Sequence, residues 1–302
     1  MSEDSIDRRG MLKCMAWAGT GLIWTVEGGI PTASLLGASS PRTGFTFAQI
    51  SDSHIGFNKP VNPDVTGTLQ AAISKINDLP QQPDLLIHTG DLTHQSKPKE
   101  FDDMDGVLQS SKVKDIFYVP GEHDTSVDDG KMYLERYGKN TKGSGWYSLD
   151  HKGVHLVGLV NVVKLEGMGQ LGPEQLAWLE KDLKGVSSST PVVLFAHIPL
   201  WTVYEAWGWG TKDGAEALSF TKRFGSVTIL NGHIHQSMQK VEGKVTFHSA
   251  RSTAFPQPEP GKAPSPGPKA VPAGELRSVL GITEVTYKPG AHSLAVVDNA
   301  LA

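Results

Sequence analysis

Asp52-Ser53-His54 and His233-Ile234-His235 each set two metal-binding side chains two residues apart, and in an extended segment that spacing turns both to the same side. Between these pairs stand Gly90-Asp91, Gly121-Glu122-His123-Asp124 and His197. Imidazole nitrogens mixed with carboxylate oxygens suit Zn, Mn or Fe rather than Ca. Thiolate ligation is excluded from the body of the chain, because its one cysteine is Cys14, near the start. Cations held by such a set act as Lewis acids and acidify a water, which is the chemistry of metal-assisted hydrolysis. Each segment alone is a common turn or surface pair; only convergence at one place would give them this role.

The elements that would bring them together read as alternating strands and helices. Phe45–Ile50, Asp84–His88, Ile116–Val119, Val192–Ala196 and Val227–Leu230 are short β-prone runs, and the five segments follow them directly. Apolar residues at helical spacing mark Val65–Leu79, the stretch holding Phe101, Met104, Val107 and Leu108, Pro173–Leu183 and a helix around Ala215–Phe224. Val154–Val160 is a further strand, and Val245–His248, Ile282–Tyr287 and Ser293–Val297 are strand-like with no helix between them. Pro256–Pro272 holds seven prolines in seventeen residues and reads as an extended surface segment rather than a packed element. This order predicts an α/β fold, a layered α/β/β/α sandwich with mixed sheets, in which the last strands complete one sheet. Ligands of open α/β sheets bind at the carboxyl ends of the strands, so the five segments would share one crevice.

In that order the motifs resemble those of the calcineurin-like binuclear metallophosphoesterases: Asp-x-His, Gly-Asp, Gly-Asn-His-Asp/Glu, a lone His, then Gly-His-x-His. The likeness spans about residues 45 to 250. It implies one metal on Asp52, His54, Asp91 and His235, and a second on Asp91, Glu122, His197 and His233, with Asp91 shared. It also implies that His123 stands beside the phosphate rather than on a metal; there an imidazole would protonate the leaving oxygen or stabilise the phosphorane-like charge, with Asp124 as its orienting partner. The cofactors implied are two divalent or trivalent ions, Mn, Fe or Zn, which neutralise the phosphate oxygens and hold an acidified water in line with the leaving group.

Three departures narrow the resemblance. Glu122 stands where the family has Asn; an ionised carboxylate binds a cation more tightly but repels the substrate anion and cannot donate a hydrogen bond to it. Glu122 is therefore either a substituted ligand of the second ion or a change that alters metal preference or weakens activity. The Gly-Asp motif continues as Leu92-Thr93-His94-Gln95, without the Asp and Arg of Ser/Thr protein phosphatases or the Tyr of purple acid phosphatases. The chain looks closest to the branch of cyclic-nucleotide and glycerophosphodiester phosphodiesterases. A phosphomonoesterase of the same fold and an exported pseudoenzyme that binds metal or phosphate without turnover are the alternatives. Trp201, Tyr204, Trp207 and Trp209 crowd the segment after His197, either to stack on a base or apolar leaving group or as a packed loop that shields the site. His94 and His248 lie near the motifs and are candidates to line the pocket, whereas His88, His151, His155 and His292 read as structural.

Ser5 to Lys13, with paired Arg8-Arg9, resembles a twin-arginine export signal, and an apolar stretch from Cys14 to Val26 follows. That stretch is shorter than the roughly 20 residues a bilayer span needs. Residues 1–40 are thus expected to be an export signal read by the twin-arginine machinery, and 41–302 a metallophosphoesterase domain with no stable membrane span once mature. The expected place is periplasmic or extracellular in a bacterium; the alternative is a cytoplasmic protein with a frayed start. Formal charge is -4, from 28 Lys and Arg against 32 Asp and Glu, so no basic footprint points to a nucleic acid polymer. The partner expected is a small phosphate ester.

Overall fold

The computed structural model describes residues 21–27, 30–36, 44–163, 165, 167–291 and 294–302. Two units are distinguished, 1–43 and 44–302. In the first, β1 (Gly21–Glu27) pairs antiparallel with β2 (Ile30–Leu36). The Arg8-Arg9 motif lies outside the described residues.

In the second unit, β3 (Phe45–Ile50) lies parallel to β4 (Leu85–His88), and β4 lies parallel to β5 (Ile116–Tyr118). Next to β3, antiparallel, runs β12 (Gly281–Tyr287), and β13 (Ala295–Ala300) closes this five-stranded sheet. The six-stranded sheet has β8 (Val192–Phe195) and β9 (Val227–Asn231) at its centre, parallel to each other. It continues through β7 (Val154–Gly158) to β6 (Tyr147–His151) on one side, and through β11 (Val245–Ser249) to β10 (Met238–Glu242) on the other.

Period-2 alternation builds the layers. Phe45, Phe47, Leu85 and Ile87 face Val193, Phe195, Leu156 and Leu230 of the other sheet and form the central core. The intervening Ala48, Ile50 and Leu86 face outward onto helices. These are α1 (Val65–Asn77), through Leu69, Ala72, Ile73 and Ile76, and α2 (Pro98–Leu108), through Phe101, Met104 and Leu108. Asp64 caps α1 by accepting the Gly67 N–H at 2.8 Å, which meets one donor otherwise left free at a helix start. On the far face Val192, Leu194 and Ile229 receive α5 (Pro173–Lys184) through Leu176, Leu179 and Leu183. Two shorter helices, α3 (Glu122–Thr125) and α4 (Lys131–Tyr137), follow β5, and α6 (Gly214–Ser219) precedes β9. The result is the expected mixed-sheet α/β/β/α sandwich. One detail differs: the last strands divide between the sheets, because β10 and β11 extend the sheet of β9 while β12 and β13 extend that of β3.

Polar clamps join these layers. His248 on β11 meets Asp298 on β13 at 3.0 Å, and Thr283 donates to the same carboxylate at 2.7 Å. His155 is held between Asp150 and Asp182 at 2.8 Å each. Both histidines therefore tie elements together; His248 does not line the pocket proposed for it from sequence.

Candidate metal centre

β3, β4 and β5 of one sheet and β8 and β9 of the other end at the same edge, and the five motif segments leave from these ends. Past the sheet the loops after β3 and β4 stay paired: Asp52 N–H donates to Gly90 O at 3.0 Å and His54 N–H to Asp91 O at 2.9 Å. Asp52, His54, Asp91, His233 and His235 all take φ between 42° and 68°, a left-handed conformation that costs roughly 1–2 kcal/mol for each non-glycine residue. Such backbone strain persists where surrounding structure enforces it, and it clusters at functional sites. The turns also need bare backbone. A Cβ on Gly90, whose φ is +95°, would fall 2.5 Å from His197 Nδ1, and one on Gly232 would fall 1.9 Å from Ser51 Oγ.

The side chains meet in two groups. In the first, His235 Nε2 lies 3.3 Å from Asp52 Oδ1, and His54 Nε2 lies 3.3 Å from His235 Nε2. In the second, Glu122 Oε2 lies 2.9 Å from His197 Nε2, Glu122 Oε1 lies 3.0 Å from His233 Nδ1, and the two imidazoles are 3.3 Å apart. Asp91 Oδ2 stands between the groups, 3.4 Å from His54 Nε2 and 3.4 Å from His197 Nε2. Burial is nearly complete: Asp52 and His197 are 0% exposed, and His54, Asp91 and His235 are each 2% exposed.

Tautomers decide whether cations fit. His197 Nδ1–H donates to Thr89 O at 2.7 Å, and His235 Nδ1–H donates to Phe255 O at 2.6 Å. Anchoring through one ring nitrogen leaves the other as a lone pair for a metal. Neutral His54 and His235 would then set lone pairs or a single proton face to face in a dry site, and Glu122 Oε2 is buried without a hydrogen-bond partner. Such an orphaned oxygen calls for a missing partner; a cation in its group would supply one, and a cation between His54 and His235 would accept both lone pairs. Electrostatics agree. Burial would raise the Asp52 carboxyl, yet His235 and then His197 bring it down to about 2. Burial opposes charging His197, yet the Asp91 and Glu122 carboxylates hold its pKa well above the usual imidazole range; the same oxygens would attract a metal cation.

Supporting groups fix these loops. Buried His88 accepts the Gly90 N–H at 3.2 Å through Nδ1, so its Nε2–H donates to Ser53 Oγ at 2.8 Å. Burial lowers its pKa to about 3, and the neutral ring serves as the structural strut expected of it. His292 lies outside the described residues.

The expected partnership of His123 with Asp124 is not formed. His123 Nδ1–H donates to the His94 carbonyl at 2.7 Å. Asp124 instead accepts the N–H groups of Leu92, Thr93 and Gly121 at 3.0, 2.8 and 2.9 Å, and the Thr93 hydroxyl at 2.9 Å. With its oxygens so engaged, Asp124 braces the Asp91 and Glu122 loops and leaves His123 to another partner. Burial works against charge on His123, but Asp91 and Glu122 raise its pKa above the ordinary value. His94 stacks on it, with ring centres 4.8 Å apart and planes 17° apart.

A cleft of about 370 Å³ opens over both groups. His94 lines it, as do Phe57, Lys59, Trp207, Trp209 and Phe255. Of the four aromatics that crowd the segment after His197, Trp207 and Trp209 thus reach the cleft, while Trp201 packs on Phe247 with rings 4.8 Å apart. The proline-rich segment contributes more than a surface strand. Phe255, just before it, anchors His235, Gln257 donates to His233 O at 3.1 Å, and Pro266-Gly267-Pro268 forms a wall of the cleft. Its proline and glycine content marks no strand or helix, and nothing in it signals contact with residues so far back in the sequence.

The sequence model of the family described as calcineurin-like phosphoesterase matches residues 45–237. A 3',5'-cyclic-nucleotide phosphodiesterase of Nostoc sp. is 24% identical over 219 residues, 70% of this chain and 79% of that protein. A probable glycerophosphodiester phosphodiesterase of Arcobacter nitrofigilis is 31% identical over 167 residues, 50% of this chain and 56% of that protein. Among solved structures, a dimetal phosphatase from Danio rerio superposes with a TM-score of 0.63 at 12% identity, covering 87% of this chain and 98% of that one. At that identity the likeness speaks for the fold.

Proposed function

The chain belongs to the calcineurin-like phosphoesterase family and is a hydrolase of phosphate esters, and we propose that it cleaves phosphodiesters over a pair of cations. Asp52, His54, Asp91 and His235 would hold one ion, and Asp91, Glu122, His197 and His233 the other. The observation that supports this most is the position of Asp91 Oδ2, at 3.4 Å from an imidazole of each group. Ions of Mn, Fe or Zn bound there would neutralise phosphate oxygens and supply an acidified water near neutral pH.

The rest is the work of this chain's own residues. His123, with Nδ1 tied to a carbonyl, has Nε2 free for the cleft and would protonate the leaving oxygen. Phe57, Trp207 and Phe255 line the cleft, giving it an apolar side against which an aromatic or apolar substituent would pack. Glu122 favours a diester. Its charge lies beside the phosphate position, and a diester brings one negative charge where a monoester brings about 1.5 to 2 near pH 7. Residues 1–40 enter this proposal as an export signal, on the strength of Arg8-Arg9 and the apolar run after them. Among the described residues, no helix is long and apolar enough to cross a membrane.

With added Mn, kcat/KM for bis-p-nitrophenyl phosphate should exceed that for p-nitrophenyl phosphate by about tenfold or more, roughly 1.4 kcal/mol of differential transition-state binding. The reverse order would make the chain a monoesterase, and no turnover of either ester would make it a binding protein. A parallel panel of cyclic nucleotides and glycerophosphodiesters identifies the leaving group.

A further inference from the structure

Three imidazoles turn Nε2 into the metal centre and are held from behind at Nδ1. Two of them, His197 and His235, are held by backbone carbonyls, those of Thr89 and Phe255. The third, His54, has a side chain behind it: His94 Nδ1 lies 3.3 Å from His54 Nδ1. For His54 to offer a lone pair at Nε2, its proton must sit on Nδ1 and be donated. His94 Nδ1 then accepts it and carries its own proton on Nε2. The same residue acts a second time through its backbone, because its carbonyl accepts the His123 Nδ1–H at 2.7 Å. Its ring meanwhile lies flat against the His123 ring, 4.8 Å between centres.

We infer that His94 is a positioning residue for the first cation: its imidazole fixes the tautomer and direction of His54, while its carbonyl independently fixes those of His123. The inference rests on the reading of His54 as a metal ligand. Groups behind a metal-bound histidine orient it and raise its basicity, and their loss typically costs 10- to 100-fold in metal affinity. Because the partner of His54 is a side chain, substitution can remove it; the anchors of His197 and His235 are out of reach of substitution. The carbonyl of residue 94 survives any replacement, so the hold on His123 should persist while the hold on His54 is lost.

The test is Zn(II) titration of the chelator-stripped full chain, followed by calorimetry, for the wild type and the variants His94→Phe, His94→Ala and His94→Asn. Phenylalanine keeps a flat ring against His123 but has no acceptor; the amide oxygen of asparagine can take the place of Nδ1. Two Zn(II) sites are expected in every case. One of the two should weaken 10- to 100-fold in His94→Phe, the other should stay unchanged, and His94→Asn should regain most of the loss. Should the bulk of phenylalanine disturb folding, seen by circular dichroism, His94→Ala carries the same expectation. Wild-type affinity at both sites in the acceptor-less variants would overturn the inference alone, as would an asparagine variant as weak as alanine. A wild-type chain that binds fewer than two Zn(II) ions would instead sink the underlying two-cation reading.

Discussion

Replacing Asp91 with asparagine should lower kcat/KM on the order of 10³-fold or more, roughly 4 kcal/mol of lost transition-state stabilisation, although the two side chains have the same shape. Asp91 Oδ1 accepts the His123 backbone N–H at 3.0 Å, so the amide oxygen of an asparagine would be drawn to that position. Its NH₂ would then replace Oδ2, the atom that stands 3.4 Å from both His54 Nε2 and His197 Nε2. Two N–H donors would point where the proposed cations would each need an oxygen lone pair, and a negative charge would be gone from a site that is 2% exposed at this residue. Buried cations that lose a paired charge bind far more weakly. Metal content should therefore fall together with activity, while the melting profile of the metal-free protein changes little. An Asp91→Asn variant with full metal content and near wild-type rate would refute the shared-ligand role.

His123→Ala separates acid catalysis from metal binding. The side chain is positioned by the His94 carbonyl and by stacking, and it is absent from both proposed ligand sets. Loss of a general acid typically costs 10² to 10⁴ in rate. The deficit should depend on the leaving group, since protonation matters most for a basic alkoxide and little for p-nitrophenolate. A fall of that size on an alkyl diester, a smaller fall on bis-p-nitrophenyl phosphate and an unchanged metal content would together fit the proposed role. An equal loss on both esters, or the disappearance of one ion, would place His123 among the ligands instead, next to Asp91 and Glu122 with which it also clusters.

Strands and helices with strong periodicity are legible in the amino-acid order alone. Phe45–Ile50, apart from Thr46 and Gln49, Val192–Phe195 and the Leu69, Ala72, Ile73, Ile76 face are apolar and are buried on both sides or along one stripe. Elements at the periphery are not. β10 reads Met-Gln-Lys-Val-Glu and is mostly exposed, so no apolar pattern marks it, and β6 is a half-buried edge. The candidate ligands are legible because all seven follow a strand end within a few residues, three of them directly after a glycine. Their supporting bonds are not, since a carbonyl acceptor such as His94 O or Phe255 O has no side-chain signature. That is why Asp124, adjacent in sequence to His123, reads as its partner while the true acceptor lies 29 positions earlier. It is also why the proline-rich segment reads as surface: its role comes from Gln257, which backs His233, beside Phe255 just before it, which backs His235.

The paired-cation account meets its most direct test in elemental analysis of the wild-type chain beside Glu122→Ala and Glu122→Asn, each purified without chelator. Two transition-metal ions per wild-type chain, about one in the alanine variant and two in the asparagine variant are expected, because an amide oxygen still reaches the second ion. Fewer than two ions in the wild type, or the same number in wild type and Glu122→Ala, would contradict it.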